Sequence, residues 1–144
     1  MADVVLDANV IVALLYADDS LHQRAVDLTT RLENEGHSVV LVDFLVFEAL
    51  SVLCRRAVQR KTAPPDLAVA IARMRSWFDN GEVRFLTQEA EHLVTGVLDI
   101  VTDSRGTLNA NDALLVALQR EGAIDRLATF DKGFEGVPNF DYTS

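Results

Sequence analysis

The chain alternates short apolar runs with longer stretches of helical periodicity, and this alternation constrains its fold more than any other feature. Strands are predicted at residues 4–6, 39–42, 83–86 and 126–130, with 139–142 as an additional edge strand. Helices are predicted at 10–16, 21–34, 45–60, 65–81, 89–101 and 109–120. Such alternation is typical of a parallel sheet with helices on both faces. We therefore expect an α/β fold: a three-layer α/β/α sandwich around a central, mainly parallel sheet of four to five strands.

Length and composition narrow the class of protein further. Residues 1–144 show no repeat or linker-like stretch, and a chain of this length suits a single domain. An apolar fraction of 49% excludes intrinsic disorder, while no apolar run approaches the ~20 residues of a membrane span. The single cysteine cannot form an internal disulfide, which predicts a reducing, cytoplasmic setting. The net charge of −9 argues against gripping nucleic acid by general electrostatic attraction.

Four acidic residues follow or lead into the predicted strands. Asp7 comes directly after the first strand, Glu48 lies in the helix after the second, and Asp131 follows the strand at 126–130. Asp112 lies in the first turn of the helix that leads to that last strand. The functional crevice of an open parallel sheet lies beyond the carboxyl ends of its strands. The sequence therefore predicts that the four carboxylates meet at one edge.

Each acid also has an ordinary structural role available. Asp7 can cap a helix, Asp112 can complete a capping box with Asn109, Asp131 suits a turn, and Glu48 suits a solvated helix surface. For any one of them the structural role is favoured. Together they are harder to explain in this way, because carboxylates on apolar elements are costly unless they are paired or bound to metal.

Convergent carboxylates without histidine or cysteine favour a hard divalent cation. The three histidines, His22, His37 and His92, are scattered without metal-ligand spacing and are expected at the surface. Oxygen ligands alone suit Mg²⁺ or Mn²⁺ better than Zn²⁺. The pattern therefore predicts a Mg²⁺ site, with Mn²⁺ as the alternative.

The acids and their neighbours resemble the PIN domain family. The resemblance is carried by the segments VVLDAN at 4–9, Glu48, NDA at 111–113 and ATFDKGF at 128–134. Within that family, the chain is most similar to the single-domain VapC-type toxins of toxin–antitoxin pairs. The resemblance implies a Mg²⁺-dependent endoribonuclease, a homodimer, and inhibition by a cognate antitoxin. It implies that Asp7, Glu48, Asp112 and Asp131 are the catalytic and metal-binding residues, with Asn9 and Thr129 as supporting polar residues.

Positive charge is clustered near the end of the helix that carries Glu48. The residues expected to contact RNA are Arg55, Arg56, Arg60, Lys61 and Arg105, with Arg73 and Arg75 adding to that surface. The alternative is a solvated helix end favoured by the helix dipole. The aromatic residues Phe44, Phe47, Trp77 and Phe78, at helical spacing, are expected in the core, and Cys54 is expected to be packed and inert.

Three other functions are weighed against this one from the residues alone. A haloacid-dehalogenase-like phosphatase also has an aspartate after its first strand, but it requires a second carboxylate two positions later, where this chain has Asn9. A receiver domain requires paired acids near the N-terminus and a late lysine after its own strand, and it fits poorly because Lys132 directly follows Asp131. A PIN-like binding module without activity is the non-enzymatic alternative, and the four acids argue against it.

Overall fold

The computed structural model describes residues 1–59 and 65–144, and five parallel strands form the centre of the fold. The strands are β1 (Asp3–Leu6), β2 (Ser38–Val42), β3 (Val83–Arg84), β4 (Arg126–Ala128) and β5 (Tyr142–Thr143). Their order across the sheet is β3-β2-β1-β4-β5, and every neighbouring pair is parallel. The prediction of a parallel sheet is confirmed, and the C-terminal residues do supply an edge strand.

Within residues 1–59 and 65–144, six α-helices connect the strands. They are α1 (Ala8–Leu15), α2 (His22–Asn34), α3 (Asp43–Gln59), α4 (Leu67–Asp79), α5 (Ala90–Asp103) and α6 (Ala110–Glu121). From β1 to β3 the chain moves across the sheet in one direction, and from β3 to β4 it returns across β2 and β1. Because parallel crossovers are right-handed, this reversal places α1–α4 on one face and α5–α6 on the other. The three-layer prediction therefore holds.

Local sequence explains where several helices begin and end. The helix predicted to start at Pro65 begins two residues later, because Asp66 is the N-cap of α4 and its side chain accepts a hydrogen bond from the Val69 N–H at 3.2 Å. Asn109 and Asp112 form the capping box of α6 expected from their spacing. The same helix ends at Gly122, whose φ of 84° lies in the left-handed region that favours glycine.

The core forms where the sheet meets its helices. Val4 and Val5 of β1 are fully buried, as expected for a strand covered on both faces. Two predictions for α3 are wrong. Phe47, expected in the core, is 56% exposed, and Cys54, expected to be packed, is exposed. Both fit the apolar spacing of the helix, but α3 buries a narrower stripe, which includes Val46 and Leu53.

Asp43 joins α3 to the end of β3. It is buried, and its carboxylate accepts hydrogen bonds from the Leu86 N–H at 2.9 Å, the Thr87 N–H at 3.3 Å and the Thr87 hydroxyl. A buried carboxylate with three donors is well satisfied, so Asp43 is a structural residue. Within the described residues, no helix combines the length and the apolar character needed to cross a membrane.

Candidate active site

A cleft of about 370 Å³ opens at the carboxyl ends of the strands. The four acidic residues singled out in the sequence all line it: Asp7, Glu48, Asp112 and Asp131. The chain reverses its direction across the sheet between β1 and β4, so Asp7 and Asp131 lie on either side of this topological switch point. Ligands bind at such points in open α/β sheets. The sheet topology therefore places the cleft where a binding site is expected.

Asp7 lies deepest in the cleft. It is 6% exposed and is the N-cap of α1, because its Oδ1 accepts a hydrogen bond from the Ala8 N–H at 2.7 Å. The Thr129 hydroxyl donates to its Oδ2 at 2.7 Å, and the Asn9 amide donates to the same oxygen at 3.5 Å. Asp7 can therefore cap α1 and still bind a ligand in the cleft, since Oδ1 accepts only one hydrogen bond and keeps a lone pair.

Thr129 and Asn9 connect the ends of β1 and β4. The buried Thr129 hydroxyl accepts from the Asp131 N–H at 3.0 Å while it donates to Asp7. Asn9 Oδ1 accepts from the Phe130 N–H at 3.1 Å, and its amide donates to Thr129 Oγ1 at 3.3 Å. These bonds fix the backbone that leads to Asp131, which is exposed and caps the short 3-10 helix Lys132–Gly136.

Glu48 and Asp112 approach from the opposite walls. Both are half-buried, and the Asn111 amide donates to Glu48 Oε2 at 3.5 Å, so α3 and α6 meet across the cleft. The Asp112 N–H donates to Asn109 Oδ1 at 2.9 Å, which positions this carboxylate at the start of α6. Only the packing of the helices brings these two acids together.

Burial and mutual repulsion raise the pKa values of Asp7, Glu48 and Asp112. Loss of hydration raises the pKa of Asp7 from 3.8 to about 6, and nearby Glu48 and Asp131 act in the same direction. Burial likewise raises the pKa of Asp112 to about 6, with Asp7 and Asp131 adding to the effect. Burial and Asp112 also raise the pKa of Glu48. The carboxylates are therefore close enough to oppose one another's ionisation.

The chemistry of these groups fits a hard divalent cation. All four are oxygen donors, and a cation in the cleft would relieve both the desolvation and the repulsion that raise their pKa values. A second group of possible metal ligands lies elsewhere, at the α5–α6 surface. It consists of His92, Glu89 and Glu121, and among the described residues it is the group of three whose ligand atoms all lie within 4.8 Å of one another. The cleft carboxylates are not drawn that close together.

Of the arginines expected to contact RNA, Arg56 lines the cleft. Arg55 is exposed, and its charge opposes the rise in the pKa of Glu48. Arg73 lies over the Trp77 ring at 5.7 Å, outside the cleft. Arg75 and Arg105 do not line it either. Arg60 and Lys61 lie outside the described residues.

Other residues depart from expectation in smaller ways. Asp19 lines the cleft from the α1–α2 connection, and no motif in the sequence marked it. His22 and His37, expected at the surface, are only partly exposed, since His22 Nδ1 lies 2.7 Å from the Ala13 carbonyl oxygen and His37 Nδ1 accepts from the Ala2 N–H at 3.0 Å.

Comparison with known proteins agrees with the fold. The PIN domain model matches residues 4–139, so the chain belongs to the PIN domain family. No curated protein matches it in sequence. Among solved structures it is similar to a chain in the crystal structure of VapBC2 from Rickettsia felis bound to a DNA fragment from their promoter. The TM-score is 0.65 at 10% identity, covering 98% of this chain and 97% of that one. The family match favours the PIN domain over the phosphatase and receiver alternatives.

Proposed function

We propose that this protein is a Mg²⁺-dependent endoribonuclease, with Mn²⁺ as an alternative ion, and the toxin of a toxin–antitoxin pair. The observation that carries the proposal is the convergence of Asp7, Glu48, Asp112 and Asp131 on one cleft at the switch point of a PIN domain. PIN domains are generally nucleases, and hydrolysis of a phosphodiester suits a site rich in carboxylates that bind divalent metal.

Each acid has a distinct place in the proposed chemistry. Asp7, Glu48 and Asp112 would hold one metal ion, and Asp131 would help to place a second ion or its water ligands. When bound, the metal supplies an activated water and offsets the negative charge that builds up on the attacked phosphate. Thr129 and Asn9 donate hydrogen bonds to Asp7, so that this metal-binding carboxylate has a fixed orientation before substrate arrives. Attack by water leaves a 5′-phosphate and a 3′-hydroxyl.

The proposed toxin role rests on the likeness to VapBC2 and on an exposed aromatic surface. VapBC2 is a complex, and its fold resemblance supports a cognate antitoxin as a partner here. Phe47 and Phe85 are 56% and 58% exposed, and both rings lie 5.8 Å from the ring of Phe78 between them. Aromatic residues left exposed in this way are typical of protein interfaces. A homodimer, in the cytoplasm, completes the proposal.

The test is cleavage of RNA by the purified protein with and without Mg²⁺. Asp7→Asn and Asp112→Asn should each lower the rate at least a hundredfold, whereas Asp27→Asn on the exposed surface of α2 should leave it unchanged. Analysis of the product ends should find 5′-phosphates. Undiminished cleavage by both cleft variants would refute the assignment. Metal binding by calorimetry without any cleavage would identify an inactive binding module instead.

A further inference from the structure

Arg56 is, among the described residues, the one lysine or arginine that lines the acidic cleft. It follows Glu48 and Val52 at intervals of four residues along α3, and all three line the same wall. Eight residues of α-helix span about 12 Å along the axis. The cationic end of the wall is therefore separate from the end that bears Glu48, although both face the same space.

The guanidinium of Arg56 is held in place by the α1–α2 connection. Its Nη1 donates to Asp19 Oδ2 in a short charge-assisted hydrogen bond. The other Asp19 oxygen accepts from the Leu21 N–H at 2.8 Å, so this carboxylate is itself fixed. The guanidinium carbon also lies 5.9 Å from the centre of the Tyr16 ring. Arg56 thus has a defined orientation before any ligand arrives.

The burial of the two partners is unequal. The Asp19 side chain is 9% exposed and the Arg56 side chain 41%. The pair Arg84–Asp3, outside the cleft, has both partners about equally exposed. A guanidinium has five N–H donors in a planar fork, and Asp19 accepts a hydrogen bond from one of its nitrogens, Nη1. Arg56 lines the cleft and is partly exposed, so it keeps donors of the kind that suit a phosphate oxygen.

We propose that Arg56, oriented by Asp19, binds a backbone phosphate next to the phosphodiester that is cleaved, and so sets the position of the strand in the cleft. This rests on the proposed function and adds to it the residue that anchors the substrate. An acidic protein repels nucleic acid in general, so one fixed cation beside the metal-binding carboxylates gives attraction where it is needed. Arg56 is the phosphate-binding residue, and Asp19 is a positioning residue.

Steady-state cleavage of a short single-stranded RNA separates this role from a structural one. Arg56→Ala should raise KM roughly tenfold or more, the effect of losing a hydrogen bond to a charged group, with a smaller change in kcat. Arg56→Lys should restore part of the loss. Asp19→Asn keeps the acceptor for the Leu21 N–H but loses the ion pair, so it should raise KM less than Arg56→Ala. Arg84→Ala is the matched control and should leave KM unchanged.

A binding measurement tests the contact without cleavage. The Asp112→Asn protein, with and without Arg56→Ala, is titrated with the RNA in Mg²⁺ over a range of salt concentrations. Loss of one phosphate contact should lower the slope of log affinity against log salt by about one. A single neutral methylphosphonate linkage, moved along the RNA, should weaken binding at the phosphate next to the cleaved linkage, and Arg56→Ala should abolish the effect at that position.

The outcomes distinguish this proposal from the proposed function. If the wild-type protein cleaves no RNA, the nuclease assignment fails, but the salt slope and the neutral linkage still test Arg56. The Arg56 proposal is overturned if Arg56→Ala lowers the melting temperature without changing KM or the slope. It is also overturned if the Asp112→Asn protein binds no RNA at all.

Discussion

The raised pKa of Asp7 predicts that the metal-free protein becomes more stable when the pH is lowered from 7.5 to 5. The folded state binds a proton at Asp7 with a pKa of about 6, whereas the ordinary value is 3.8. Between these values the folded state holds more protons than the unfolded state, so stability falls as pH rises. This contribution is complete below about pH 4 and is lost as pH rises through about 6.

The size of the effect follows from the same two values. The difference corresponds to roughly 3 kcal/mol, at about 1.4 kcal/mol per pKa unit. Asp112 acts in the same direction but adds less, because it is half-buried and more screened by water. Between pH 7.5 and pH 5, about one unit below the raised pKa, about half of this is gained, roughly 1.4 kcal/mol. For a domain of this size 1 kcal/mol changes Tm by roughly 3 °C, so Asp7 alone should raise Tm by about 4 °C over that range.

Thermal unfolding followed by circular dichroism, with chelator present, measures this directly. Asp7→Asn removes the titrating group and should flatten the rise in Tm, since the uncharged amide needs no proton. The same variant should be more stable than wild type at pH 7.5 by roughly 2 kcal/mol, after about 1 kcal/mol is lost from altered hydrogen bonding to Thr129 and Ala8.

The control is Asp27→Asn, which removes an exposed carboxylate from α2. It separates the effect of Asp7 from the general relief of charge repulsion in a protein of net charge −9. If Asp7→Asn follows the same pH dependence as Asp27→Asn and wild type, the reasoning about the buried carboxylate is refuted.

Three further predictions follow from the cleft and its supports. Mg²⁺ affinity by calorimetry should fall steeply below pH 6, by up to roughly a hundredfold per pH unit, because Asp7 and Asp112 must each release a proton; a pH-independent affinity would contradict this. Thr129→Val should raise the Asp7 pKa further and cost about 1–3 kcal/mol, seen as an upward shift in the pH dependence of Tm. Asp43→Ala should cost about 3 kcal/mol by leaving three donors unpaired, and unchanged Mg²⁺ binding in the folded variant would confirm that Asp43 is purely structural.

The sequence predicts the strands better than their ends. The segment 83–86 is predicted as a strand of four residues, but β3 ends at Arg84 because the Leu86 and Thr87 amides donate to the Asp43 side chain and not to β2. The strand predicted at 126–130 is also shorter in the structure, where β4 ends at Ala128, since the Phe130 N–H donates to Asn9 Oδ1. Side chains that compete for backbone groups decide such boundaries, and they come from distant parts of the chain.

The exposure of Phe47 is a second feature that periodicity does not predict. An apolar residue at helical spacing fits the core-facing stripe of α3, but how wide that stripe is depends on what packs beside it. Here α4 and the end of β3 leave room for a surface stack of Phe47, Phe78 and Phe85. Hydrophobic pattern indicates a buried face without fixing its width.

What the sequence by itself determined is local: the alternation of strands and helices, the capping box of α6, and acids at the carboxyl ends of the strands. The parallel order then brings Asp7 and Asp131 to one edge, because every strand ends on the same side. Only the tertiary structure decided that α3 and α6 converge so that Glu48 and Asp112 complete the cleft. It also decided that Asp19 holds Arg56 beside them. Those contacts join residues far apart in the chain, and helix packing, which no local pattern encodes, sets their distance.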